Sequence, residues 1–307
     1  MFLPATRQEM NELGWEACDV ILVTGDSYID SPFNGAAQIG KWLHHHGFRV
    51  GIIAQPSVEN PEEITRLGEP GLFWGVSGGC VDSMVANYTA LKKRRKSDDF
   101  SPGGLNNRRP DRAVIVYTNL IRRSFKATRP IVLGGIEASL RRIAHYDYWS
   151  DSIRRSILFD AKADALIYGM GERAVLELAQ ALAQGGDFRE IRGLCYIAHA
   201  PRPDYLTLPD FETVAADQEA FTGMFRLFYD NNDPVTARGL NQQHGDRWLV
   251  QNPPALHLSE AELDQAAELP FEREQHPWHQ QFGAVRALDT IRFSINTHRG
   301  CYGECHF

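Results

Sequence analysis

The feature that most constrains the fold of this chain is a series of short, unbroken apolar runs, each trailed by a stretch with helical spacing. Val20-Ile21-Leu22-Val23-Thr24 is the first run, bounded by Gly25-Asp26-Ser27. From Gly35 to His46, Ala36, Ile39, Trp42 and Leu43 recur near helical intervals, and Gly47 follows as a stop signal. Val50 to Ala54 is the second run, closed by Pro56; Pro61 opens a short helix through Leu67, and Leu72 to Val76 is the third run. Ala113 to Tyr117, Ile131 to Gly135 and Asp164 to Tyr168 read as further strands, the last leading into an amphipathic helix over Glu172 to Gln184 that halts at Gly185-Gly186. Runs that are apolar throughout, rather than alternating, belong to strands buried on both faces. Strands interleaved with helices imply right-handed crossovers and a parallel sheet. The expectation is a Rossmann-like α/β domain over residues 1–200, with helices on both faces of the sheet.

Two stretches depart from this rhythm. Leu91 to Arg112 holds Lys92-Lys93-Arg94-Arg95-Lys96, Ser101-Pro102-Gly103-Gly104 and Arg108-Arg109-Pro110, a polar, Pro/Gly-punctuated insertion expected as a surface loop. After Ile197, Pro201, Pro203 and Pro209 mark a linker; Phe211 to Tyr229 and Ser259 to Leu269 look helical. Residues 201–285 are therefore expected as a helical connector. Residues 286–307 start a new unit, with Ile291-Arg292-Phe293-Ser294-Ile295 as an alternating strand.

The net charge of −7 gives no long-range attraction to nucleic acid or to an anionic membrane. No apolar run approaches the ~20 residues of a membrane span, and Met1 to Arg7 lacks a basic segment followed by an apolar core. The expected location is the cytoplasm, with no membrane partner. The five cysteines are Cys18, Cys80, Cys195, Cys301 and Cys305. An odd number in such a chain argues against a disulfide framework. The first three sit in or beside apolar stretches and read as buried thiols.

Cys301 and Cys305 differ. They stand at C-x-x-x-C spacing on a glycine-rich segment, Thr297-His298-Arg299-Gly300-Cys301-Tyr302-Gly303-Glu304-Cys305-His306-Phe307. Glycines let sulfurs close in sequence turn toward one centre, as an iron–sulfur cube requires, and an aromatic ring at Phe307 would shield that centre from water. Zinc held by His298, Cys301, Cys305 and His306 is a rival, although the adjacent Cys305 and His306 are awkward for one tetrahedron.

This string resembles the start of the radical SAM (S-adenosylmethionine) motif C-x-x-x-C-x-aromatic-C, whose final cysteine would fall at position 308. Gly25 to Ala37, Gly134-Gly135-Ile136-Glu137-Ala138-Ser139 and Gly169-Met170-Gly171-Glu172-Arg173 resemble the N-terminal region of the YgiQ-type radical SAM family. The resemblance covers nearly the whole chain and implies several things. Three cysteines, Cys301 and Cys305 among them, hold a 4Fe-4S cluster, with Phe307 packed beside it. SAM chelates the fourth iron, and one-electron reduction yields a radical that abstracts hydrogen from a substrate the sequence does not name. A reductant such as flavodoxin or ferredoxin is the implied partner. Residues 286–307 become the first strand of a radical SAM barrel cut short. The chain is then a truncated member, inactive alone; a stop, a frameshift or a recoded UGA at position 308 would account for such an end.

Further candidates lie upstream. Gly134, Gly135 and Ser139 follow one buried strand, and Gly169, Gly171 and Glu172 follow the next. Backbone N–H groups there can cradle a cofactor at the carboxyl edge of the sheet, or the glycines only permit tight turns. Several radical SAM proteins carry a cobalamin-binding domain of this architecture. The D-x-H-x-x-G motif is absent, so cobalamin, if it binds, binds without a histidine ligand. His44-His45-His46 read as a helix end, because adjacent helical positions diverge by about 100°. Lys92 to Lys96 are a candidate RNA contact or a solvated charge run. Tyr146, Tyr148 and Trp149, with Arg141, Arg142, Arg154 and Arg155, wall a ligand cleft or pack between domains. The alternative to a radical SAM enzyme is a stand-alone module binding a nucleotide or corrinoid at the sheet edge.

Overall fold

A computed structural model describes residues 1–295. The amino-terminal helix α1 (Arg7–Glu12) is closed by a capping box between Thr6 and Glu9. The expected strands then follow: β1 (Val20–Thr24), β2 (Val50–Ala54) and β3 (Phe73–Ser77), separated by α2 (Gly35–His45) and α3 (Pro61–Thr65). Helix α4 (Ser83–Asn87) leads into the polar insertion, and α5 (Ala113–Ser124) leaves it. β4 (Ile131–Gly134) runs directly into α6 (Gly135–Leu140). A small hairpin, β5 (His145–Asp147) and β6 (Ser152–Arg154), precedes α7 (Ile157–Ala161), β7 (Ala165–Ile167), α8 (Glu172–Ala183) and β8 (Leu194–Ala198). Then come β9 (Leu206–Thr207), α9 (Phe211–Ala216), α10 (Gln218–Tyr229), β10 (Leu240–His244), β11 (Arg247–Gln251), α11 (Glu260–Ala267), α12 (Pro277–Gln280) and α13 (Leu288–Ile291).

One sheet of nine strands organises the molecule, in the order β2-β1-β3-β4-β7-β8-β11-β10-β9. Its first half, β2-β1-β3-β4-β7, is wholly parallel. β8 reverses direction against β7, and β11 pairs antiparallel with both β8 and β10. Alternate residues of each parallel strand feed two cores. Ile21, Val23, Trp74, Val76, Ile131 and Leu133 pack with α5, α6 and α7 on one face. Val20, Leu22, Phe73 and Val132 pack with α2 and α8 on the other. Helices cover both faces, as expected.

Four expectations are corrected. Ala113 to Tyr117 is the start of α5 and not a strand: Ala113, Val114, Tyr117, Thr118, Leu120 and Ile121 are its buried residues, a helical stripe hidden by β-branched neighbours. Residues 201–285 are not purely helical, because β9, β10 and β11 lie within them and extend the main sheet. Asn241-Gln242-Gln243-His244 gives a central strand no apolar signature, yet Asn241 and Gln242 are buried with side-chain partners. The insertion is a surface loop only in its first half: Asp98, Ser101, Asn106 and Arg109 are buried. Lastly, no strand forms at 291–295. Leu288 and Ile291, three apart, bury on α13 against Ile29 and Val285, while Phe293 and Ile295 stay exposed. A strand gains its stability from a paired neighbour, and the helical turn buries more here.

Candidate functional site

The strand order reverses between β1 and β3, since the chain proceeds to β2 on one side and to β4 and β7 on the other. Open α/β sheets bind ligands outside the carboxyl ends of their strands at such a switch point. A cavity of about 330 Å³ lies there, between the sheet and the first turns of α2 and α8. Leu22, Phe73, Val132 and Ile167 form its sheet wall; Ile39 of α2 and Val175 of α8 face them. The interior is mainly apolar, and few polar side chains reach it: Thr24, Asp26, Asn34, Gln38, Ser77 and Glu172. Among the described residues no histidine lines it.

Loops after each strand bring backbone to this cavity. The sequence candidates Gly134, Gly135, Gly169, Gly171 and Glu172 all line it. Gly135 has φ +77° and Gly169 φ +71°, the left-handed conformation that favours glycine. Ser139 is not brought in: it is buried on α6, where its carbonyl accepts a bond from Arg142 Nη1 at 2.5 Å. Glu137 of the same motif serves as a clamp. Its carboxylate accepts from Ser83 N at 2.8 Å and Val114 N at 3.2 Å, capping the starts of α4 and α5 from outside.

A third loop, Ser77-Gly78-Gly79-Cys80, carries the same strand-then-glycine signal and adds to the cavity residues that the two sequence motifs do not include. A Cβ on Gly25 would stand 2.1 Å from Gly78 O, so the loops after β1 and β3 pass backbone to backbone. A Cβ on Gly78 would stand 2.3 Å from Glu137 Oε2. The close passage delivers Cys80 N to Asp26, which accepts it at 2.6 Å.

Asp26 and Glu172 are both buried at the site, and the partner of Asp26 comes from the insertion. Arg109 Nη2 donates to Asp26 Oδ1 at 2.6 Å and to Asp98 Oδ2 at 3.0 Å, with all three side chains almost wholly buried. Ser101 Oγ donates to Asp98 at 2.7 Å, and Gln55 Nε2 reaches Ser101 Oγ at 2.6 Å and Gly25 O at 2.8 Å. Burial pushes the Asp26 carboxyl up, and the Arg109 guanidinium works against that. Burial and then the Asp26 charge push the Cys80 thiol well above its ordinary value, so it is a neutral thiol and a poor nucleophile. Nothing in the sequence joined Arg109 to Asp26: a buried arginine in a Pro/Gly-rich stretch has no local signature.

The remaining candidates are dispersed. Cys301, Cys305 and Phe307 lie outside the described residues. Cys18 and Cys195 are buried thiols pushed up to about 12 by burial, as their apolar settings suggested. His44, His45 and His46 close α2 and turn to three separate partners, Phe48 O, Gln265 and Trp42 O. Among the described residues no group of three or more metal-ligating side chains converges, and no helix is long and apolar enough to cross a membrane.

Residues 2–294 match the family described as radical SAM N-terminal. A UPF0313 protein of Fusobacterium nucleatum is 59% identical over the whole chain, which spans 54% of that protein. UPF0313 proteins of Thermotoga neapolitana and Methanocella arvoryzae are 53% and 50% identical, over 100% and 98% of the chain and 54% and 51% of theirs. The chain thus spans about half the length of the curated relatives it matches. Among solved structures, the radical S-adenosylmethionine methyltransferase TsrM from Kitasatospora setae, with tryptophan and a SAM analogue, aligns over 58% of this chain and 28% of its own at 21% identity, TM-score 0.38. The same enzyme with cobalamin and a 4Fe-4S cluster aligns over 59% and 27% at 19% identity, TM-score 0.39.

Proposed function

On the premise that this chain belongs to the radical SAM N-terminal family, we propose that its α/β unit is the ligand-binding front part of a radical SAM enzyme. Cys301 and Cys305 are two of the three thiolates for a 4Fe-4S cluster, with Phe307 beside it. When bound, that cluster with SAM supplies one-electron chemistry that removes a hydrogen atom from substrate. A small electron carrier such as flavodoxin or ferredoxin would reduce it, in a cytoplasmic setting. Two cysteines do not complete such a site, so the 307 residues alone are proposed to be inactive.

The observation that carries the ligand-binding half is the cavity at the strand-order switch point. It has an apolar body, which fits a flat ring, and two carboxylates at its edge, Asp26 and Glu172. Carboxylates accept bonds from the ribose hydroxyls of such a ligand. That pairing fits the base and ribose of a nucleoside, and about 330 Å³ is the low end for a small-molecule site. SAM, a free nucleotide and the nucleotide arm of a corrinoid all present that chemistry. With no histidine among the described residues of the lining, none of them would offer a corrinoid an imidazole ligand.

Gel filtration after incubation with hydroxocobalamin, SAM or ATP tests this. One of them should co-elute stoichiometrically, and Gly171→Phe should abolish that with little change in melting temperature. Among the described residues a Cβ on Gly171 meets only Ile167 and Ile39, at 3.4 and 3.6 Å, so the added ring fills the cavity without a backbone clash. Retention of none of the three retires the cavity reading. For the cluster, iron is counted after anaerobic reconstitution of the full-length protein; Cys301→Ala and Cys305→Ala that bind as much iron as the parent remove the thiolates from the proposal.

A further inference from the structure

Two features far apart in sequence meet on the surface. Lys92, Lys93, Arg94, Arg95 and Lys96 are all exposed, but they do not ride on a loose loop. Lys92 N donates to Thr89 O and Thr89 N to Lys93 O, both at 2.9 Å, and Arg95 N donates to Asn87 O at 2.7 Å. The segment joining β5 to β6 packs on this turn. Tyr148 Oη donates to Ala90 O at 2.6 Å, and Lys92 Nζ sits 4.8 Å above the Tyr148 ring. The Tyr88 and Trp149 rings lie 5.5 Å apart, with the Arg94 guanidinium 5.7 Å over Tyr88. Tyr146 and Tyr148 are about half exposed, at 50% and 48%; Tyr146 Oη donates to Asp151 Oδ1 at 2.6 Å, which leaves the ring face open. Of the five cations only Arg94 has a carboxylate in ion-pair range, Asp111 at 3.5 Å; among the described residues the other four have none. In a chain of net charge −7 this is a local concentration of uncompensated positive charge beside open aromatic rings.

We propose that the 88–96 turn and the β5–β6 hairpin form a docking surface for single-stranded nucleic acid, with Lys92, Lys93 and Lys96 on phosphates and Tyr146, on β5, and Tyr148, at the tip, against bases. Cations interleaved with stackable rings are the pairing a single strand requires, whereas a duplex hides its base faces. An anionic bilayer would call for a continuous apolar helix face above the charges, and this surface is a turn and a hairpin tip. The surface shares no residue with the cavity, so the two readings stand or fall separately.

Fluorescence anisotropy of labelled single-stranded RNA and DNA homopolymers, titrated with the 307-residue chain at low salt, tests it. Binding should saturate and weaken as salt rises. Each phosphate contact adds about 0.7 to the log–log salt slope on a single strand, so Lys92→Gln with Lys93→Gln should flatten it by about 1.4. Tyr146→Ala should weaken binding about tenfold and leave the slope unchanged, while Tyr146→Phe, which keeps the ring, should bind like the parent. These side chains are exposed, so melting temperatures should match and report any misfolded variant. Heparin or duplex DNA binding as tightly, with Tyr146→Ala indistinguishable from the parent, would reduce the surface to a generic polyanion patch and overturn the proposal. So would sedimentation with phosphatidylserine vesicles in the absence of oligonucleotide binding, or no binding at low salt.

Discussion

His244 shows how one side chain sets a pH dependence. Its ring lies between Phe159 and Phe211, at 4.6 and 5.5 Å, and neither ring nitrogen has a partner among the described residues. Burial lowers its pKa to about 4, as it does for His145 and His276. The unfolded chain takes up a proton near pH 6.5 that the folded chain refuses. Stability is therefore complete above pH 6.5 and declines as pH falls toward 4, by about 3 kcal/mol per histidine as an order of magnitude. Denaturant midpoints should drop between pH 7 and pH 5, and His244→Phe should remove part of that drop; identical midpoints at both pH values would refute the account. Arg109 sets a different expectation. Replacing it with Met strands two buried carboxylates, at a cost of about 3–5 kcal/mol read as a lower melting temperature, whereas Arg123→Met on the exposed end of α5 should cost little. The strand-flanking glycines were legible in the sequence and Arg109 was not, because a glycine's role follows from its own backbone while a buried cation's follows from what the fold sets opposite it.

At the level of elements, the end of β3 and the starts of α4, α5 and α6 are held by one carboxylate. Glu137, in the first turn of α6, takes the Ser83 and Val114 amides, and Gly78 lies against it with no room for a Cβ. Helix α5 has no side-chain cap of its own, since Arg112 stands at its N-cap in a left-handed conformation. Glu137→Gln should cost about 1–3 kcal/mol by weakening both bonds. Gly78→Ala should cost a similar amount by pushing the carboxylate aside. Because both changes act on one contact, the double variant should fall short of the sum, and full additivity in thermal melts would separate the two sites. The parallel strands could be read in advance because each is buried on both faces, and α2 and α8 because each carries its own helical periodicity, whereas the β-branched start of α5 read as a strand. β10 could not: its buried Asn241 and Gln242 side chains are satisfied by Arg202 and Pro209, partners that exist only after folding.

The whole molecule is tied together by the extension of its sheet. β11 pairs with β8, so residues beyond 200 complete a sheet begun near residue 20. Arg142 reinforces the join. Its guanidinium lies 4.6 Å over Tyr168 and 4.4 Å over Phe228 and donates to Gln251 at 3.2 Å and Asn232 at 3.0 Å. The 307-residue chain should melt in one cooperative transition. A chain ended at residue 200 would expose the edge of β8 and the Arg142 pocket, and should aggregate or melt without cooperativity. A soluble 1–200 fragment with the parent's melting temperature would make the strand extension an accessory.

By itself the sequence determined the parallel half of the sheet, its helix-covered faces, the glycine turns at the carboxyl edge and the family resemblance. Each of these is written in local spacing, and local spacing needs no partner to be read. Tertiary structure alone decided that Asp26, Arg109 and Asp98 share one buried site, that the glycine loops enclose a common cavity, and that the basic turn carries an aromatic wall. Those are encounters between segments distant along the chain, fixed by hydrogen bonding and close packing, which leave no periodic trace in either segment.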